Sequence, residues 1–142
     1  MLGQDLTFAE NEWQKRYYAR QASLIIYESL NDLFDLLGKD FKTIINTKLN
    51  NSELESKFLL IRKELNQFKD NNFNRLKEIR NVATAHRDND ILKQINLIAE
   101  ISWSEVIGIV TVFDKILNKL GPLLQELINY DLRKLDELRN KE

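Results

Sequence analysis

Apolar residues recur every three or four positions over most of the chain. Between residues 54 and 68 they are Leu54, Phe58, Ile61, Leu65 and Phe68, at intervals of 4, 3, 4 and 3. This spacing places them on one face of an α-helix, which completes a turn every 3.6 residues. So narrow a stripe is typical of a helix packed closely between other helices. The pattern predicts an all-α protein.

Three capping boxes predict where helices begin. In such a box a Ser or Thr side chain accepts a hydrogen bond from an early backbone N–H, and a Glu three residues later reaches back to the cap. The boxes begin at Thr7, Ser52 and Ser102. β-Branched residues are frequent over 106–112 and would suit a strand, but the helical spacing continues to residue 120. We predict a helix there.

Breaking residues divide the pattern further. Gly38 predicts the end of a first helix over 8–37, and Gly121 with Pro122 predicts a stop before a last helix over 122–139. Residues 70–72, Asp-Asn-Asn, predict another break, because Asn favours caps over helix interiors. Shorter helices are expected over 40–49 and 91–101. The prediction is one domain over residues 1–142, an up-and-down bundle of four long helices plus short helices.

Composition narrows the chemistry. The 142 residues contain no Cys, one His, one Pro and four scattered Gly. This excludes disulfides, zinc–thiolate sites, cysteine nucleophiles and a glycine-rich phosphate loop, and we predict no metal and no cofactor. The first residues lack the pattern of a secretory signal, and no apolar run approaches the ~18 residues of a membrane span. We therefore expect a cytoplasmic protein without a membrane partner.

The charge balance allows only local contact with polyanions. Twenty-one basic and 22 acidic residues give a net charge of −1. From residue 75 to 87, however, Arg75, Lys77, Arg80 and Arg87 oppose only Glu78, which gives +4 − 1 = +3. Basic residues grouped in this way can contact phosphates. Arg75, Lys77 and Arg87 are therefore candidate nucleic-acid contacts.

The only histidine, His86, lies within this window. Its side chain titrates near neutral pH and could transfer protons, or it could serve as a cation at a helix C-terminus. On one regular helix, Arg80 and His86 would be separated by roughly 120° around the axis and ~9 Å along it. Either the helix breaks before His86, or a second copy of the chain completes the site.

Residues 80–86, RNVATAH, resemble the motif of the HEPN superfamily, the higher eukaryotes and prokaryotes nucleotide-binding proteins. That motif has an Arg, commonly followed by a polar residue, and a His after four to six positions; here Arg80 and Asn81 precede His86 with five residues between Arg and His. The resemblance implies a helical bundle of this size that forms a homodimer and cleaves RNA without a metal ion.

The resemblance also implies roles for these residues. His86 would move a proton, Arg80 would hold the phosphate, and Asn81 would orient the backbone. The leading hypothesis is a HEPN-like, metal-independent ribonuclease of the toxin or phage-defence type, with RNA and an antitoxin or regulatory protein as partners. A second is a non-catalytic dimeric interaction or regulatory module. A third is a small-ligand bundle that uses Trp13, Tyr17 or Trp103.

Overall fold

The computed structural model describes residues 7–45, 51–84 and 91–139. Five helices occupy these ranges: α1 (Glu12–Leu36), α2 (Lys39–Thr43), α3 (Ser52–Thr84), α4 (Ile91–Glu100) and α5 (Trp103–Arg139). The described ranges contain no strand, so the predicted all-α class is confirmed, and 106–112 is helical. Helix α2 covers the first part of the short helix predicted over 40–49, of which residues 46–49 lie outside the described ranges. None of the described helices is long and apolar enough to cross a membrane.

The long helices run up, down and up, with α3 antiparallel to α1 and α5. Helix α3 packs against α1, α4 and α5, and α1 also packs against α5. Between α1 and α3, the rings of Tyr27 and Phe73 stack with centroids 5.1 Å apart. Where α1 ends, Arg62 of α3 donates to the carbonyl of Leu37. Four helices thus pack together in the predicted bundle.

Ion pairs follow the seam between α3 and α5. Lys57 pairs with Glu126 at 3.0 Å, and Glu64 pairs with Lys119 at 2.6 Å. A step of seven residues forward on α3 is matched by seven residues backward on α5, as an antiparallel register requires. Because exposed pairs contribute little to stability, these contacts mark the register while the apolar core holds the helices together.

Helix α3 continues through residues 70–72, so the break predicted there is wrong. The amide Nδ2 of Asn72 donates to the carbonyl oxygen of Phe68 at 2.9 Å, and the side chain therefore bonds to its own helix. Asn72 is half-buried between the buried residues Phe68 and Leu76. Burial of Leu76 on the same face keeps the chain helical past three poor helix formers.

Helix α5 also continues, through Gly121 and Pro122, so the predicted stop there is wrong. A proline within a helix removes one backbone hydrogen bond and costs about 3 kcal/mol. The buried apolar positions nevertheless continue at intervals of 4, 3 and 4 from residue 116 to residue 127. Burial of Leu123 and Leu127 beyond the proline offsets that cost, at roughly 1.5–3 kcal/mol for each fully buried side chain. Without the two breaks, the four packed helices are three long ones and the 10-residue α4.

The structure corrects two of the three predicted helix caps. Helix α1 is capped by the Asn11 side chain, not by Thr7, and α3 is capped by Asn51, not by Ser52. At α5 the hydroxyl of Ser102 accepts from a first-turn N–H at 3.4 Å, as predicted. Asn caps helices about as well as Ser, and at both corrected starts the cap is the Asn immediately before the first helical residue.

A second, smaller core closes the end of the bundle where α1 and α5 begin and α3 ends. Its buried members come from α1, α3, the connection between α4 and α5, and the first turn of α5: Ala19, Ala22, Ile79, Ile101 and Val106. The two alanines carry only a methyl group, which lets the neighbouring helices approach α1 closely. Ile79 is 1% exposed, so the residue before Arg80 is fixed in this second core.

Replacing Gly121 by Ala should raise the free energy of unfolding by about 0.5–1 kcal/mol, since Ala is the better residue in a helix interior. An added Cβ at Gly121 meets no heavy atom within 4 Å. Gly38→Ala is the matched control, because its Cβ would lie 3.0 Å from the Asp35 carbonyl oxygen and should destabilise the protein. Urea denaturation measures both. Destabilisation by Gly121→Ala would show that the chain turns at this residue.

Phe58 of α3 is fully buried, and its ring lies 5.3 Å from that of Phe41. Phe58→Ala should lower the free energy of unfolding by about 3–5 kcal/mol, from lost burial and the resulting cavity. Its neighbour Leu59 is 44% exposed, and Leu59→Ala should change stability by about 0.5 kcal/mol or less. Equal effects of the two substitutions in urea denaturation would mean that α3 is rotated from this packing.

Candidate functional site

Arg80 lies about one turn before the end of α3, on the flank that faces α1. Its Nε donates to Glu28 Oε1 at 3.2 Å, and its guanidinium carbon lies 5.4 Å from the centre of the Tyr27 ring. Both partners are on α1, which runs antiparallel to α3. The side chain of Arg80 is 39% exposed and that of Glu28 is 51% exposed. Arg80 is therefore oriented by α1 while solvent still reaches it.

The contact between Arg80 and Tyr27 belongs to a row of rings and cations along the α1–α3 seam. Tyr27 stacks on Phe73, and Lys69 Nζ lies 5.3 Å from the centre of the Phe73 ring and 4.3 Å from that of Phe34. Such cation–π contacts stabilise a protein by about 0.5–1 kcal/mol at exposed sites. The row fixes the relative positions of the helices on which Arg80 depends.

Arg75 faces the opposite neighbour. Its Nε donates to Glu105 Oε1 of α5 at 3.0 Å, and its Nη2 donates to the other Glu105 oxygen at 3.2 Å. Nη1 donates to Glu78 at 2.7 Å, and the carbonyl oxygen of Glu100 is 3.4 Å from Nη2. These hydrogen bonds, led by those to Glu105, raise the pKa of Arg75 above its ordinary value. Arg75 thus joins α3 to α5.

The predicted basic window is divided between two flanks of the helix. Arg75 and Arg80 are five residues apart, which separates them by roughly 140° around the axis. Lys77 is exposed, and Asn81 is exposed one residue beyond Arg80. His86 and Arg87 lie outside the described residues. Arg75 and Arg80 therefore do not form one patch, and Lys77 lies nearer to the Arg80 flank.

Two residues of this site could not be predicted from the sequence. Tyr27 and Glu28 precede Arg80 by more than 50 positions, and neither periodicity nor a local motif connects them to it. The one local signal is that a Tyr–Glu pair stands in the first helix where an apolar residue would widen the apolar face. The contact arises from the register of α1 against α3, which a single sequence does not give.

The three aromatic residues of the small-ligand hypothesis lie apart from the open grooves between α3 and α5. Trp13 and Tyr17 are 70% and 58% exposed, whereas Trp103 is half-buried against the second core. The grooves, of about 280 and 430 Å³, are lined by other residues, among them Leu60 and Pro122 in the smaller one. Neither of these two grooves in the described part of the chain is lined by the three aromatic residues.

The arrangement around Arg80 is suited to holding an oxyanion. A guanidinium presents paired N–H donors that match a phosphate or a carboxylate, and Glu28 already uses one of them. A phosphate at Arg80 would compete with this carboxylate for the guanidinium. Within the described ranges, no three His, Cys, Asp or Glu residues are grouped so as to hold a metal ion.

Comparisons with models of protein families, with curated proteins and with solved structures find no match.

Proposed function

We propose that this protein is a HEPN-like ribonuclease that acts as a homodimer, without a metal ion, in a toxin or phage-defence role. The observation that carries the proposal is the motif of Arg80, Asn81 and His86, whose first two residues lie in the last turns of a long bundle helix. The all-α bundle suits the resemblance. The half-exposed guanidinium of Arg80 supports it further, because an anion can reach that group from solvent.

The proposed chemistry is cleavage of RNA by its own 2′-hydroxyl. The 2′-oxygen attacks phosphorus, the bond from phosphorus to the 5′-oxygen breaks, and the products are a 2′,3′-cyclic phosphate and a 5′-hydroxyl. His86 transfers a proton in attack or departure, and Arg80 stabilises the charge on the phosphate. Asn81 orients the backbone of the RNA. Because Arg80 and His86 are too far apart on one regular helix, the two motifs of a dimer form the cleft.

The surrounding cations have separate tasks in this proposal. Lys77 is exposed on the side of α3 nearer to Arg80, where it contacts a neighbouring phosphate. Arg87 extends the same contact along the strand. Arg75 is bound to Glu105 and Glu78, so it contacts a phosphate only by exchanging with one of these carboxylates. RNA affinity therefore depends on salt concentration, since each phosphate contact releases counterions.

His86→Ala should lower the rate of RNA cleavage by about 10²–10⁴-fold, the usual contribution of a general acid or base. The assay uses end-labelled single-stranded RNA in EDTA, and the product ends are identified as cyclic phosphate and 5′-hydroxyl. Lys63→Ala, an exposed substitution earlier on α3, is the control and should cleave like wild type. Equal rates for wild type and His86→Ala would refute the catalytic proposal.

A second candidate is a non-catalytic dimeric HEPN-like module that binds an antitoxin or a regulatory protein. The observation that favours it is the existing contact of Arg80 with Glu28 and Tyr27, which gives Arg80 a structural use without any substrate. In this candidate, Arg80 stabilises the α1–α3 seam and the surface built on it. RNA cleavage is absent from the wild type.

Under the second candidate, Arg80→Ala should lower the free energy of unfolding by about 0.5–1 kcal/mol through the lost ion pair and cation–π contact. It should also weaken the dimer in analytical ultracentrifugation. Lys77→Ala, which removes an exposed cation from the same turn, should leave both unchanged. The second candidate is contradicted if Arg80→Ala abolishes cleavage while unfolding and dimerisation stay as in wild type.

A further inference from the structure

Two aromatic residues alternate with two arginines along the first turns of α1. Trp13, Arg16, Tyr17 and Arg20 are spaced by 3, 1 and 3 positions, which places them side by side on one face of the helix. We call this set the aromatic–arginine stripe. Trp13 and Tyr17 are 70% and 58% exposed, and the two arginines are half-buried. Trp13 is half a turn around the helix from the buried Ala22, so its ring faces away from the core, whereas the Nε of Arg20 is buried.

Contacts at this end of α1 orient the rings without covering them. The guanidinium carbon of Arg16 lies 5.9 Å from the centre of the Trp13 ring. The rings of Tyr17 and Tyr18 meet edge to face with centroids 5.5 Å apart, and Tyr18 packs against the second core. A surface ordered in advance loses less conformational entropy when a ligand binds. The exposed ring faces are therefore ready to stack.

The same face of α1 leads to Arg80. Two further turns beyond Arg20 it carries Tyr27 and Glu28, which contact the guanidinium of Arg80. Trp13 and Tyr27 are 14 residues apart, or ~21 Å along the helix axis. The stripe and Arg80 thus form one continuous track of rings and cations along the outer side of the α1–α3 seam.

Alternating rings and guanidinium groups match the alternating bases and phosphates of a nucleic acid strand. Unpaired bases stack on aromatic side chains whatever their sequence, while arginines follow the phosphates. A duplex hides its base faces and cannot stack in this way. A protein interface commonly sets aromatic and arginine anchors within a continuous apolar core, and the stripe itself contains no aliphatic residue.

We propose that the aromatic–arginine stripe binds single-stranded RNA and directs the strand to Arg80. Bases stack on Trp13 and Tyr17, and Arg16 and Arg20 contact the phosphates between them. The inference rests on the proposed function, since it assigns the stripe to the same RNA. Glu28 contacts Arg80 on this track, so the strand reaches Arg80 by competing with Glu28.

The test measures binding separately from cleavage. The ligand is a 2′-O-methyl oligo(U) of about 12 nucleotides, which lacks the attacking 2′-hydroxyl. Trp103→Phe leaves Trp13 as the only tryptophan, so quenching of its fluorescence reports stacking directly. Trp13→Ala should weaken binding, followed by fluorescence anisotropy, by about 5- to 100-fold. Leu132→Ala, which removes a 54% exposed apolar side chain from α5, should not weaken it.

Salt dependence tests the arginines. Arg16→Ala should reduce the slope of log K against log salt by about 0.7, the value for one phosphate contact of a single strand. Lys63→Ala removes an exposed cation elsewhere on the bundle and should leave the slope unchanged. Equal slopes for Arg16→Ala and wild type would overturn the assignment of phosphate contacts to the stripe.

Other outcomes would overturn the inference as a whole. If duplex RNA binds as tightly as oligo(U), or if Trp13 fluorescence is unchanged at saturation, base stacking on Trp13 is ruled out. If Trp13→Ala leaves oligo(U) binding intact and instead converts a dimer to a monomer, the stripe is a protein interface. If Trp13→Ala leaves both oligo(U) binding and RNA cleavage intact, only the RNA-binding role of the stripe is refuted. If the wild type binds oligo(U) through Trp13 but does not cleave RNA, only the ribonuclease proposal is refuted.

Discussion

Helix α3 packs against α1, α4 and α5, and burial of its apolar side chains is the constraint on which the other features depend. These residues recur along the helix and are almost fully removed from water: Leu54, Phe58, Ile61, Leu65, Phe68, Leu76 and Ile79. Because the last of them is next to Arg80, rotation of α3 would both expose apolar surface and turn Arg80 away from α1. The candidate site is thus held by the same burial that holds the bundle.

The contacts of Arg80 with α1 bear on whether a phosphate could bind there. In the folded chain it contacts Glu28 and Tyr27 across the seam. An exposed ion pair of this kind is worth only about 0.2–1 kcal/mol, so the bond to Glu28 is weak enough for a phosphate to replace it. The cation–π contact with Tyr27 can persist, because it uses the face of the guanidinium, whereas an anion bonds to its edge.

The spacing of apolar residues predicted the helices well, since periodic burial is recorded in the sequence itself. Residues that usually end a helix predicted the helix ends less well. Asn72 bonds to its own helix, and Pro122 is tolerated because Leu123 continues the buried face. The contact of Arg80 with Glu28 could not be predicted, because it depends on how α1 and α3 align. The sequence motif identified three candidate residues. The structure describes Arg80 and Asn81, and His86 lies outside the described residues.

The position of Arg80 also limits where a second copy of the chain could approach. If RNA occupies the α1 flank of α3, a second chain that completes the cleft must contact another side of this end of the bundle. Helix α4 packs against α3 there, and the Glu100 carbonyl at its end is bonded to Arg75 on the α5 flank. Leu92 and Ile95 of α4 are 74% and 51% exposed, and burying them would favour association on that side. RNA on one flank and a partner chain on the other would then both reach the end of α3 without competing for the same surface.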